Sequence, residues 1–180
     1  RGHEVGVHGF DHSNKTSFAE PEERARRIKA GTTFGSRYNA TGYRAPSLVR
    51  SRELLADLAP HYSYDSSVPT SGGPFPVPNN GSASARPWRV GTLWELPLSM
   101  PRDGSLRFLG HSAPQIEKIW RDCASRIANS GGTVILLTHC ERGFSGNSEM
   151  LAAYRSFLDF ITSCESFEFT LPRDLISRLT

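Results

Sequence analysis

The chain has 180 residues, 37% hydrophobic and 22% charged, with a formal net charge of +3 at pH 7. That length fits one domain able to bury a real core, and no apolar run approaches the roughly 20 residues of a membrane span. The positive balance is dispersed: Arg24, Arg26 and Arg27, its densest cluster, have no aromatic residues between them and read as a solvated helix face, not a nucleic-acid footprint. Cys123, Cys140 and Cys164 are an odd, widely spaced set with no disulfide framework, which favours a reducing compartment such as the cytoplasm. The chain begins with Arg1, so a signal or anchor could have preceded it.

In chain order, Gly6–His8 reads as the end of a short strand running into a loop. "EPEERARRIKAGTTF" is a helix, with Pro21 in the first turn, Glu22 and Glu23 near the positive end of the dipole, and Ala25 and Ile28 as an inner stripe. "TGYRAPS" is a short strand stopped by Pro46. "SRELLADL" is a short helix with Ser51 as N-cap, and "HYSYDSS" a strand. Residues 69–92, rich in Pro, Gly, Ser and Asn, read as a long irregular excursion, of the kind that is either a binding loop or disordered. "TLWELPLS" is a strand whose Pro97 sits at its end or at a sheet edge.

"SAPQIEKIWRDCASRIANSGG" carries Ile116, Ile119, Trp120, Cys123 and Ile127 at helical spacing and ends at Gly131-Gly132. "TVILLTH" is a continuous apolar run, the pattern of a strand buried on both faces. Met150, Tyr154, Phe157, Leu158 and Ile161 outline another helix, "FEFTL" a last strand and "PRDLISRL" a closing helix. Strands alternating with helices imply a mainly parallel sheet or barrel. In such folds chemistry gathers at the C-terminal ends of the strands, where His8, Arg44, Asp65 and His139 all fall.

Each of these residues has more than one local reading. His8 and His12, at i and i+4, can face a single ion at roughly 2.0–2.1 Å, or are ordinary polar-loop histidines. His3, in a strand, would point the other way. His139 is either satisfied by a backbone carbonyl or a general acid–base, since imidazole exchanges protons near neutral pH. Arg44 is costly to bury without a carboxylate and so implies an acidic neighbour. Asp65 serves equally well as a turn or cap residue. Cys140 as nucleophile with His139 as base is disfavoured, because adjacent residues of a strand face opposite ways.

Together, "GHEVGVHGFDH", "GYRAPS", "YSYDSS" and "LLTH" resemble, in order and spacing, the motifs of the polysaccharide deacetylase family (NodB homology, the fourth carbohydrate esterase family). The resemblance implies an α/β fold, a distorted (β/α) barrel lacking here its first strand or strands. It implies metal ligation by His8 and His12, with zinc the expected divalent ion. Arg44 would orient a catalytic aspartate, the Ser47 N–H would lie near the oxyanion, Asp65 would tune the catalytic histidine, Leu137 would line the acetyl pocket, and His139 would be the general acid. Trp88, Trp94 and the 69–92 loop are candidates for sugar stacking, with core packing the competing role for Trp94.

The family's first motif, a paired Asp-Asp supplying the third ligand and the base, has no counterpart in these residues. The chain is therefore expected to be part of a longer protein, the other reading being a degenerate, inactive member. Gly9, Ser47 and Ser66 also depart from the family pattern, and "YRAPS", "YDSS" and "LWELPLS" look more like the branch with surface-polysaccharide biosynthesis members and allantoinase-like amidohydrolases. The implied activity is metal-assisted hydrolysis of an N-acetyl amide on a sugar, the implied partner a carbohydrate. The alternatives are an amidohydrolase on a small non-glycan amide and a non-catalytic carbohydrate-binding domain. An uncovered core would promote self-association or aggregation of the isolated segment.

Overall fold

A computed structural model describes residues 2–70 and 82–180. In chain order the elements are α1 (Lys15–Phe18), α2 (Pro21–Gly35), a 3-10 turn (Ser36–Tyr38), β1 (Gly42–Tyr43), a second 3-10 turn (Pro46–Leu48), α3 (Arg52–Leu58), β2 (Tyr64–Asp65), β3 (Trp88–Val90), β4 (Leu93–Glu95), α4 (Asp103–Phe108), α5 (Ala113–Asn129), α6 (Ser148–Ser163) and α7 (Pro172–Leu179). They divide into two compact units: Arg1–Pro69 with Pro87–Pro97 and Thr170–Thr180, and Thr70–Arg86 with Leu98–Phe169.

The first unit holds a sheet of order β1-β2-β4-β3. β1, β2 and β4 run parallel, while β3 returns antiparallel to β4 through a two-residue turn in which Gly91 has a φ of +60°. Val7 extends the sheet by one parallel bridge to Tyr43, donating its N–H to Gly42 O at 2.8 Å and accepting from Arg44 N at 2.8 Å. Ile28, Leu54, Leu58 and Leu93 pack with Val7 and Tyr43 into one apolar core. The α3 start is as expected: the Ser51 side chain accepts from Leu54 N at 3.0 Å, satisfying an amide that the helix itself leaves unpaired.

α2 forms where expected but presents a different face. Ala25 is exposed and Arg24 buried beside Ile28, because the Arg24 Nε bonds Asp57 Oδ2 at 2.6 Å and its Nη1 bonds Ala19 O at 2.8 Å. The arginine cluster is thus only partly solvated: Arg26 is exposed, whereas Arg24 and Arg27 are largely covered.

The second unit is mainly helical. Met100, Leu106, Ile116, Trp120, Ala124, Met150, Phe157 and Ile161 form its core, with Trp120 Nε1 donating to Pro101 O at 2.8 Å. Ser112 and Gln115 form a capping box at the start of α5, and Asn147 Oδ1 accepts from Met150 N at 3.0 Å to start α6. Each satisfies amides a helix N-terminus leaves open.

Three expected strand features differ. "TVILLTH" is half-buried and joins no strand ladder. Its backbone instead bonds Ala85 O, Ser99 Oγ, Met100 N and an Asp103 carboxylate oxygen, so the pairing a doubly buried strand needs is absent among the described residues. "FEFTL" is likewise irregular and mostly exposed, leading into α7. The 69–92 excursion contains a real strand, β3, whose Trp88 and Val90 register against Glu95 and Leu93. Residues 71–81 of that excursion lie outside the described residues. All three cysteines are free.

Candidate active site

The parallel strands bring Val7, Tyr43, Asp65 and Glu95 into one register row. His8, Arg44, Ser66 and Leu96 each follow that row, so the first unit gathers its polar groups where the strands end. His8 Nδ1 lies 2.8 Å from Arg44 O. A carbonyl only accepts, so Nδ1 carries a hydrogen, which in a neutral ring leaves the lone pair on Nε2, the orientation a ligating imidazole takes when its second nitrogen is held by a backbone oxygen.

His8 and His12 are exposed, with ring centres 4.9 Å apart and planes inclined at 72°. Gly9 and His12 make the loop tight, at φ +78° and +54°. A Cβ on Gly9 would stand 2.5 Å from Pro46 Cγ, which gives a physical reason for glycine at this departure from the family pattern. Asp11, inside the loop, is bonded to Ser13 and Arg27, and Phe10 lies against Arg26 and Arg27. The His8–His12 pair fits a divalent ion as two neutral ligands. No group of three or more metal-ligating side chains occurs among the described residues, so any third donor to an ion at this pair would have to come from outside them.

The expected acidic partner of Arg44 is not within ion-pair reach among the described residues. Arg44 Nε donates to Ser66 O and Nη2 to Ser66 Oγ, both at 2.8 Å, and Ser66 Oγ donates to Leu96 O at 2.8 Å. Burial lowers its guanidinium from the ordinary value, against the pull of Asp65, Tyr64 and Glu95. Ser47 is exposed with φ 51° and ψ 15°, and Leu48 follows at φ 60°. Two consecutive left-handed residues other than glycine cost roughly 1–2 kcal/mol each, and strain of this kind persists where the surrounding structure fixes it. The Ser47 N–H makes no hydrogen bond to protein among the described residues.

His139 belongs to the second unit. Its Nδ1 lies 2.7 Å from Asp103 Oδ1, and its backbone N–H donates to Asp103 Oδ2 at 2.7 Å. Ser145 Oγ donates to Asp103 Oδ2 at 2.7 Å, and Gly104 N to Oδ1 at 2.7 Å. Burial opposes the charge on Asp103, yet these donors outweigh it and hold the carboxyl below its ordinary range. The carboxylate bonded to His139 within its unit is Asp103; the Asp65 oxygens, in the first unit, accept from Ser67 N at 2.9 Å and Ser67 Oγ at 2.8 Å.

Asp103 escaped the sequence reading because "PRDGS" looks like an ordinary helix start, 36 residues from its partner. Phe144 lies against the His139 ring, with centres 5.1 Å apart. Leu137 is half-buried in the same stretch as His139. Trp94, in the first unit, is half-buried with the Arg89 guanidinium 4.5 Å from its ring centre, so a cation covers one face of the expected sugar platform.

No protein-family model matches the chain, and no curated protein matches it. Solved structures do. A Mycobacterium smegmatis protein described as a polysaccharide deacetylase superposes with a TM-score of 0.76 at 19% identity, over 98% of this chain and 63% of its own. A Pseudomonas aeruginosa PAO1 protein described in the same way gives 0.68 at 20% identity, over 98% and 59%. The chain has a polysaccharide deacetylase fold. The Puue allantoinase shares that deacetylase fold, with a TM-score of 0.67 at 17% identity over 98% of this chain and 58% of its own. The chain thus spans between 58% and 63% of the length of these three structures. No helix among its described residues is long and apolar enough to cross a membrane.

Proposed function

We propose that the protein hydrolyses an N-acetyl amide on a sugar or polysaccharide, using a divalent metal, zinc in the first instance, and that its strands belong to a distorted (β/α) barrel. The observation that carries this reading is the Asp103–His139 pair, a buried ionised carboxylate fixing an imidazole whose other nitrogen is left for chemistry. Asp103 fixes the orientation of the ring, and His139 would pass a proton from Nε2 to the leaving amine as general acid.

His8 and His12 would hold the ion, together with an anionic third ligand from outside the described residues. When bound, the ion would supply Lewis acidity toward the acetyl carbonyl and lower the pKa of a water. The Ser47 N–H would donate to the developing oxyanion, a contribution of about 3 kcal/mol to the barrier for one such donor. Arg44 would orient a catalytic carboxylate, Leu137 would line the acetyl pocket, and Trp94 would contact the sugar by the ring face that Arg89 leaves uncovered.

The resemblance to an allantoinase supports a second reading, hydrolysis of a small linear or cyclic amide by the same groups. Product analysis on N-acetylhexosamine oligomers and on allantoin-like amides separates the two. Acetate release from the oligomers supports the first, and turnover of only the small amides replaces it with the second.

A further inference from the structure

We propose that Glu95 is a positioning residue: its carboxylic acid keeps its proton, donates it to the Asp65 carboxylate, and the resulting single-proton acid pair locks the turn that holds Arg44 through Ser47. Glu95 and Asp65 stand opposite each other on the two central parallel strands, and both are fully buried. Glu95 Oε1 accepts from Val68 N at 2.9 Å. Its Oε2 is buried with no partner that donates to it among the described residues. An ionised carboxylate would leave that oxygen bare beside a second negative charge, a costly arrangement. A proton on Oε2 makes it a donor to Asp65 and removes both penalties.

Asp65 is the better anion of the two, since Ser67 donates to each of its oxygens. The charged and titratable groups facing the pair are Tyr43 from β1, Arg44 just beyond it, and Arg50 from the segment before α3. The two guanidiniums favour one negative charge and are themselves bonded to Ser66 and to Leu48 O. Burial, reinforced by Asp65, pushes Glu95 up to about 10. Burial also raises Asp65, opposed by the donors from Glu95 and Ser67 and by Arg44.

The lock reaches the loop through two serines. Ser67 Oγ donates to Asp65 Oδ1 and accepts from Ala45 N at 2.8 Å, just ahead of Pro46 and the strained Ser47. Ser66 holds the Arg44 guanidinium and donates to Leu96 O, next to Glu95. Glu95 therefore acts through its neighbours. Any consequence for turnover rests on the function proposed above, whereas the retained proton does not.

The folded chain binds a proton on Glu95 that the unfolded chain releases above its ordinary value of 4.5. Stability from this group is complete below that value and is lost as pH rises from 4.5 toward about 10. Carbon-13 NMR of wild-type protein labelled at glutamate carboxyls tests the proton directly. One glutamate is expected to stay protonated at neutral pH while the others ionise in the usual range; ordinary titration of all of them overturns the proposal. Glu95→Gln keeps a donor for Asp65 and an acceptor for Val68. It is expected to match wild type near pH 5 and to lose much of the wild-type decline in stability toward about pH 9. A Glu95→Gln decline parallel to wild type overturns the proposal, whatever substrate the protein proves to use.

Discussion

Replacing Asp103 with asparagine probes the second unit without changing its volume. Asp103 is fully buried and its two oxygens accept from His139 N, His139 Nδ1, Ser145 Oγ and Gly104 N. An amide offers one acceptor oxygen and one donor nitrogen in place of two acceptors. The nitrogen fits best at the Oδ2 position, where the Ser145 hydroxyl can turn and accept, but the His139 N–H then faces a donor. One charge-assisted bond is lost outright, worth about 1.5–3 kcal/mol, and the carboxylate that orients the His139 ring is gone. The expected outcome in urea denaturation is a loss of about 2 kcal/mol. Turnover should fall by roughly 10²- to 10⁴-fold, with metal content unchanged. Because the folded Asp103 carboxyl lies below its ordinary value of 3.8, its stabilisation is present above that pH and lost as the pH falls through the folded value. The variant should therefore lose part of the wild-type acid sensitivity. A stability change under about 0.5 kcal/mol with turnover intact would refute the assignment of Asp103 as the group holding His139.

Gly9→Ala should destabilise by about 1–3 kcal/mol through its positive φ and the collision with Pro46. Hydrogen exchange across residues 8–12 should rise, and adding Pro46→Ala should recover the steric part; unchanged exchange would contradict the tight loop. Two neutral imidazoles should hold zinc weakly in the 180-residue chain, so elemental analysis after gel filtration should find well under one ion per molecule, and stoichiometric retention would contradict it. Trp120→Ala should cost about 3–5 kcal/mol and Trp120→Phe closer to 1 kcal/mol, the latter from the lost bond to Pro101 O. Equal losses for the two variants would show that the indole N–H matters as much as the ring.

Helices were the legible part of the fold, because their signals are local. Pro21, Ser51, Ser112 and Pro172 each lie at a helix start that the chain adopts. The strands were legible as places more than as elements: β1 and β2 are two residues long, and "TVILLTH" and "FEFTL" carry strand composition without a paired strand among the described residues. Ala25 and Arg24 exchanged places because an ion pair to Asp57, 33 positions away, decides which face of α2 turns inward. The site showed the same division. The closeness of the His8 and His12 rings arises within one loop and could be read from their spacing. The cross-strand neighbour of Asp65, Glu95, and the hydrogen-bond partner of His139, Asp103, are set by packing across 30 and 36 positions and left no local mark.

The most direct test compares metal content and acetate release for His8→Ala and His139→Ala in the complete protein, with an N-acetylhexosamine oligomer as substrate. His8→Ala should lose metal and turnover together, while His139→Ala should keep its metal and lose turnover by at least about a hundredfold. Substantial activity in His139→Ala, or full metal content in His8→Ala, would contradict the division of labour between the two histidines.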